Sequence, residues 1–160
     1  MKTLVVYYSL EGNTEYAADK IIGKTGADEL KLIPIKPYCD KGAKKFLWGG
    51  KCAVFGEVPD LEPYEVNIND YDRIVIGFPV WASTFAPPIR TFVIQNKEKL
   101  KDKDVCVFAC QAGNGAQKAF VKLAKLMETE PFKTTGIFID PKGHPSAEQD
   151  KAIEAFIEKL

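Results

Sequence analysis

The chain has 160 residues, of which 46% are hydrophobic and 28% are charged, and its 22 basic and 22 acidic side chains give a formal net charge of zero. This composition predicts one globular domain over residues 1–160 and argues against nucleic acid as a partner, because nucleic-acid-binding surfaces carry excess positive charge. No apolar run approaches the roughly 18 residues of a membrane span and the N-terminus lacks a signal-peptide layout, so we expect a cytoplasmic protein with no membrane partner.

The first predicted element is a buried strand, Leu4 to Tyr8, which runs directly into a polar loop, Ser9 to Thr14, at the start of a helix. The first N–H groups of a helix lack acceptors within it and carry partial positive charge, so such a loop can bind a phosphate group. Hydroxyl side chains in the loop can add donors, and Gly12 permits close approach or a positive φ. The alternative is an ordinary turn in which Asn13 or Thr14 caps the helix.

The next elements are a helix from about Thr14 to Lys24, ended by Gly26, and a strand from Asp28 to Ile35. In that strand charged residues alternate with leucines, which is typical of an edge strand.

An irregular insertion follows at about residues 36–70, with a possible short helix near Ala43 to Leu47 and a break at Gly49 and Gly50. Its aromatic side chains either fold over the candidate site as a lid or pack down as anchors; these are Phe46, Trp48 and Phe55.

The third predicted strand, Arg73 to Phe78, leads into a second loop, Pro79 to Thr84, and a helix opened by Pro87 and Pro88. The fourth strand, Val105 to Ala109, leads into a third loop of residues 110–115.

Helical periodicity then predicts a helix from Ala116 to Met127, and a last strand runs from Gly136 to Ile139. Ser146 to Gln149 is predicted to form a capping box at the start of the final helix, which buries Ile153 and Phe156.

Strands and helices alternate throughout, which predicts an α/β fold with helices on both faces of a five-stranded parallel sheet. The expected spatial order is 2-1-3-4-5. Ligands bind such sheets beyond the carboxyl ends of the strands, where the strand order reverses, and strands one and three flank that point. The first and second loops should therefore form one site.

The cysteines at positions 39, 52, 106 and 110 match neither a CxxC pair nor a zinc pattern, so reduced thiols are expected. Cys106 should fill the core. Cys110 either does the same or turns its thiol toward a ligand. His144 is predicted to be a solvated loop residue, and no metal ligands or catalytic residues are predicted.

These three loops resemble those of the flavodoxin-like family of FMN-binding proteins, whose fold is a three-layer sandwich. The resemblance implies FMN as the cofactor, with the phosphate at the first loop, Trp81 against the flavin ring, and backbone groups of the second and third loops at the polar edges of the ring. The cofactor-binding residues that it implies are Ser9, Leu10, Glu11, Gly12, Asn13, Thr14, Pro79, Val80, Trp81, Ala82, Ser83, Thr84, Cys110, Gln111, Ala112 and Gly113.

The chain departs from this family at the third loop, where many members have a tyrosine that stacks on the outer face of the flavin, whereas residues 110–115 contain no aromatic. Three hypotheses about function follow. The resemblance implies an electron-transfer protein that serves a redox protein partner or a small-molecule acceptor. The open ring face and neutral charge favour instead an FMN-dependent NAD(P)H oxidoreductase acting on quinones or another small acceptor. The third hypothesis is a non-redox binding module that has lost flavin.

Overall fold

The computed structural model of the chain describes residues 1–38 and 50–160, which form a three-layer α/β fold. The bounds of its strands and helices, in chain order, are β1 Thr3–Tyr7, α1 Asn13–Thr25, β2 Asp28–Lys31, β3 Arg73–Trp81, β4 Thr84–Phe85, α2 Pro87–Leu100, β5 Asp104–Gln111, α3 Ala116–Met127, β6 Thr135–Ile139 and α4 Ala147–Ile157.

The parallel strands lie in the order β2-β1-β3-β5-β6, which confirms the predicted order of the five strands. The sequence analysis missed a sixth strand, since β4 pairs antiparallel with the end of β3. Residues 79–81, which were predicted to be loop, therefore continue β3. Pro79 still pairs in parallel with Cys110 of β5, and pairing with β4 gives Val80 and Trp81 partners beyond the parallel part of the sheet.

Alternation along β1 shows why helices cover both faces of the sheet. Val5 and Tyr7 point into one buried cluster with side chains of α1 and α4, whereas Leu4 and Val6 point into another with side chains of α2 and α3. Successive side chains of a strand face opposite sides, so a central strand buried on both sides is apolar at every position.

Several predicted details differ from the structure. β2 ends at Lys31, although the predicted alternation is confirmed and Leu32 beyond it is still buried. Residues 33–35 then bond to residues 60–62. At α4 only half of the predicted capping box forms. The Ser146 Oγ accepts the Gln149 N–H at 3.2 Å, but the Gln149 side chain accepts the N–H of Ile139 instead.

The insertion at about 36–70 is described only in part. The predicted helix from Ala43 to Leu47 lies outside the described residues. Gly50, which was predicted to be a break, is instead part of a helical segment at residues 50–54. A Cβ built on Gly50 would lie 3.7 Å from the Cβ of Ala82. The segment therefore approaches the β3–β4 hairpin.

Candidate functional site

A cleft of about 280 Å³ lies at the carboxyl ends of β1, β3 and β5, which is the predicted position of the site. Parallel pairing brings the loops together, since Pro79 lies opposite Cys110. The residues that line the cleft are Ser9, Leu10, Glu11, Asn13, Thr14, Gly50, Pro79, Val80, Trp81, Ala82, Cys110, Gln111, Ala112 and Asp140.

Four of the residues predicted from sequence do not line this cleft, namely Gly12, Ser83, Thr84 and Gly113. Two lining residues were missed. Gly50 comes from the insertion, where sequence offered no positional signal. Asp140 directly follows β6, and the rule that loops at carboxyl strand ends meet at one edge could have found it.

The first loop is held by Ser9, whose Oγ accepts N–H bonds from Gly12 and Glu15, both at 3.2 Å. Gly12 has φ of 90° and is the N-cap of α1, with no side-chain cap of its own. The alternative interpretation, in which Asn13 or Thr14 caps the helix, is therefore wrong. Both residues begin the helix, and their side chains are left for other contacts.

The Thr14 side chain is the most informative polar group of the cleft, because it is only 1% exposed and its Oγ1 has no oxygen or nitrogen partner among the described residues. The neighbouring Cys110 thiol is the one candidate partner that the structure describes: contact with the Thr14 hydroxyl partly offsets the rise in the pKa of Cys110, but a thiol is a weak hydrogen-bonding group and does not satisfy the hydroxyl as an oxygen would. Buried hydroxyls are nearly always paired, so this one points to a missing partner. A ligand oxygen at the N-terminus of α1 would supply it.

Asn13 ties the first loop to the loop after β6. Its Oδ1 accepts the backbone N–H groups of Lys142 at 2.9 Å and Gly143 at 3.2 Å, and its Nδ2 lies 3.5 Å from Asp140 Oδ1. The side chain therefore joins two walls of the cleft.

The second loop is a tight hairpin whose two central residues, Ala82 and Ser83, have φ of 48° and 56°. Positive φ at both positions is the geometry of a type I′ turn, which Asn and Gly favour and which costs other residues energy. Strained backbone of this kind is concentrated at functional sites, and here it forms the rim of the cleft.

Trp81 is half-buried at the cleft wall and packs against two tyrosines that the sequence analysis did not assign to the site. Its ring lies 5.8 Å from that of Tyr8, at 89°, and 5.3 Å from that of Tyr38, at 72°. These nearly perpendicular contacts are a favourable aromatic arrangement and fix the plane of the indole.

The third loop is held by the Gln111 side chain, which accepts the Ala116 N–H at 2.9 Å and donates to the Gly113 carbonyl at 3.1 Å. Its amide therefore positions the loop. Cys110 is buried, and burial raises the pKa of its thiol to about 12, so the thiol stays protonated near neutral pH and is a poor nucleophile. Cys106 is buried in the core, as predicted.

Other candidate features lie elsewhere. A larger groove of about 510 Å³ lies at the amino ends of β5 and β6. Two buried polar atoms without a partner are found among the described residues, Thr14 Oγ1 and Arg90 Nε, and neither belongs to the lining of this groove.

The His144 side chain is 84% exposed, as predicted. Phe46 and Trp48 lie outside the described residues, while Phe55 is 77% exposed and so does not pack down as an anchor.

Comparison with known proteins decides the family. A family model described as flavodoxin matches residues 2–142. The chain belongs to the flavodoxin family. Solved flavodoxin-like structures agree with the fold. A flavoprotein in complex with FMN from Lactobacillus acidophilus NCFM superposes with a TM-score of 0.75 at 21% identity, with 97% of each chain covered.

Two further structures extend the comparison. A protein from Bacteroides eggerthii DSM 20697, provisionally classed as a flavoprotein, has a TM-score of 0.76 at 25% identity, covering 99% of this chain and 97% of the other. An NADPH-quinone reductase from P. pentosaceus superposes with a TM-score of 0.61 at 13% identity, covering 99% of this chain and 97% of the other. No described helix is long and apolar enough to cross a membrane.

FMN is the cofactor that membership of the flavodoxin family implies, and the donors of the cleft fit it. The orphaned Thr14 hydroxyl and the N-terminus of α1 suit a phosphate, while the cleft walls between Trp81 and the third loop offer apolar and backbone surface.

Proposed function

We propose that this flavodoxin-family protein binds FMN in the cleft and transfers electrons between a donor and a redox protein or small-molecule acceptor. The observation that carries the proposal is the buried, unpartnered Thr14 hydroxyl at the N-terminus of α1, within the switch-point cleft. That position and chemistry suit the phosphate end of FMN.

In this proposal, bound FMN supplies one- or two-electron redox chemistry, and the protein supplies position and electrostatics. The N–H groups at the start of α1 would bind the phosphate, and the Thr14 hydroxyl would donate a hydrogen bond to a phosphate oxygen. Ser9 holds the loop open in this conformation through its two accepted bonds. Trp81, with its plane fixed by Tyr8 and Tyr38, covers one face of the ring. No side chain is needed as a general base.

The second candidate is an FMN-dependent NAD(P)H oxidoreductase that acts on quinones or another small acceptor. The third loop favours it, because residues 110–115 offer no aromatic side chain to cover the outer ring face. A fold neighbour from P. pentosaceus is named NADPH-quinone reductase. An open ring face would admit a nicotinamide or a quinone directly.

Anaerobic titration separates these candidates. The protein is first titrated with FMN, and NADH or NADPH is then added while flavin absorbance is followed. Tight FMN binding without reduction by either nicotinamide supports the electron carrier. Rapid bleaching of the flavin supports the oxidoreductase, and absence of FMN binding would leave only a non-redox binding module. A cytoplasmic location remains a prediction, to be checked by cell fractionation.

A further inference from the structure

Lys142 lies in the loop between β6 and α4, outside the residues that the sequence analysis assigned to the site, and its side chain crosses the first loop. A Cβ built on Gly12 would lie 2.5 Å from Lys142 Nζ and 3.1 Å from its Cδ. The ammonium group therefore lies directly against the backbone at the N-terminus of α1. The absence of a side chain at Gly12 makes room for the lysine as well as for the turn.

The position of this lysine is set by its backbone. The N–H groups of Lys142 and Gly143 both donate to Asn13 Oδ1, and Asn13 belongs to the first loop. A substitution of the lysine side chain leaves these two hydrogen bonds in place. Loss of the charge can therefore be tested without detaching the loop.

The charge of Lys142 is not neutralised by an ion pair with any residue that the structure describes. The nearby Asp140 carboxylate forms no ion pair with Lys142 and lies 3.5 Å from Asn13 Nδ2. Burial, together with Glu15, raises the pKa of Asp19, which lies in α1. Lys31 and Lys142 partly offset that rise, so the charge of Lys142 acts on α1 as well. An ammonium group beside Gly12, without an ion pair among the described residues, adds to the positive potential at the N-terminus of α1.

We propose that Lys142 Nζ is the cation that binds the phosphate of the cofactor, together with the N-terminal amide groups of α1 and the Thr14 hydroxyl. Two independent observations fall on the first turn of α1: the Lys142 ammonium group beside Gly12, and the buried Thr14 hydroxyl, which lies in the lining of the cleft. A helix N-terminus alone binds phosphate through partial charges, whereas a lysine adds a full charge and a charge-assisted hydrogen bond.

This inference rests on the proposed binding of FMN and adds a preference between ligands to it. A phosphomonoester carries a charge of about −1.5 to −2 at pH 7, whereas riboflavin, the same ring system without phosphate, is neutral. Lys142 should therefore discriminate FMN from riboflavin. It should also make FMN binding dependent on salt, because an exposed ammonium group is screened.

The test compares four proteins: wild type, Lys142→Met, Lys142→Arg and the control Lys133→Met, which removes an equal charge from the exposed segment before β6 at the far end of the sheet. Each is titrated with FMN and with riboflavin at low and at high salt, and dissociation constants are obtained from flavin fluorescence. We expect Lys142→Met to weaken FMN binding by roughly tenfold at low salt and riboflavin binding by less than about twofold. Lys142→Arg should retain most FMN affinity, Lys133→Met should match wild type, and salt should weaken wild type more than Lys142→Met.

Each other outcome has a definite meaning. If Lys142→Met binds FMN as tightly as wild type, or loses FMN and riboflavin affinity equally, the inference is wrong while the proposed function stands. If wild-type protein binds no FMN, the proposed function fails and the inference fails with it.

Discussion

At the scale of the residue, a substitution of Thr14 tests whether its hydroxyl contributes to ligand binding or to the stability of the fold. Thr14→Val keeps the shape of the side chain but removes a buried hydroxyl that no described oxygen or nitrogen pairs with. The free energy of unfolding of the ligand-free protein should stay the same or rise by up to about 1 kcal/mol. FMN affinity should fall by roughly tenfold or more, because a hydrogen bond to a charged phosphate is lost. Urea denaturation and FMN titration measure the two effects.

Thr91 provides the matched control for this substitution. It is also buried, but its Oγ1 donates to the Pro59 carbonyl at 2.7 Å. Thr91→Val should lower the free energy of unfolding by about 1 kcal/mol and leave FMN affinity unchanged. A Thr14→Val protein that behaves like this control would show that the Thr14 hydroxyl serves the fold alone.

Trp81 gives the second prediction at this scale. Trp81→Ala should weaken FMN binding by about threefold to tenfold, since aromatic stacking contributes about 0.5–1.5 kcal/mol beyond area burial. Trp81→Phe keeps an aromatic face and should lose less. Equal, undiminished affinity in both variants would mean that the indole only packs against Tyr8 and Tyr38.

At the scale of the element, Gly77 shows how closely a ring packs on the central strand. A Cβ at this position of β3 would lie 2.1 Å from Phe108 Cζ, and that ring is held among Phe138 and Phe156. Gly77→Ala should therefore overpack the core and lower the free energy of unfolding by about 1–3 kcal/mol, measured by urea denaturation.

Gly23 is the opposite case and the control for Gly77. It lies within α1, and a Cβ there would meet nothing within 4 Å. Gly23→Ala should raise the free energy of unfolding by about 0.5–1 kcal/mol, because alanine loses less backbone entropy in a helix. If both alanine variants were equally stable, the position of Phe108 relative to β3 would be wrong.

At the scale of the whole molecule, the balance of 22 basic and 22 acidic side chains bears on how a redox partner is met. A protein without strong net charge gains little from long-range electrostatic steering. The rate of electron transfer from the FMN-loaded, reduced protein to basic cytochrome c should therefore change by less than about threefold between 20 and 200 mM salt, in stopped-flow measurements. A steep decrease with salt would reveal a concentrated acidic docking surface instead.

The order of the strands and the position of the cleft could be predicted from the sequence alone. Strand and helix periodicity are local properties of the chain, and the topology of a parallel sheet then brings loops such as Ser9 to Thr14 and Pro79 to Thr84 to one edge. For the same reason the bounds of α3 were predicted to the residue, since its apolar stripe and flanking glycine are contiguous in sequence.

Which side chains gather at the cleft and at the start of α1 could not be predicted, because it depends on contacts between residues far apart in the chain. Lys142 reaches Gly12 through a contact between residues far apart in the chain, and neither residue signals the other. The hairpin at Ala82 and Ser83 was missed because those residue types do not favour positive φ, and pairing of β3 with β4 imposes it. The orphaned Thr14 hydroxyl likewise follows from packing, because a threonine at a helix start resembles a cap until its surroundings are known.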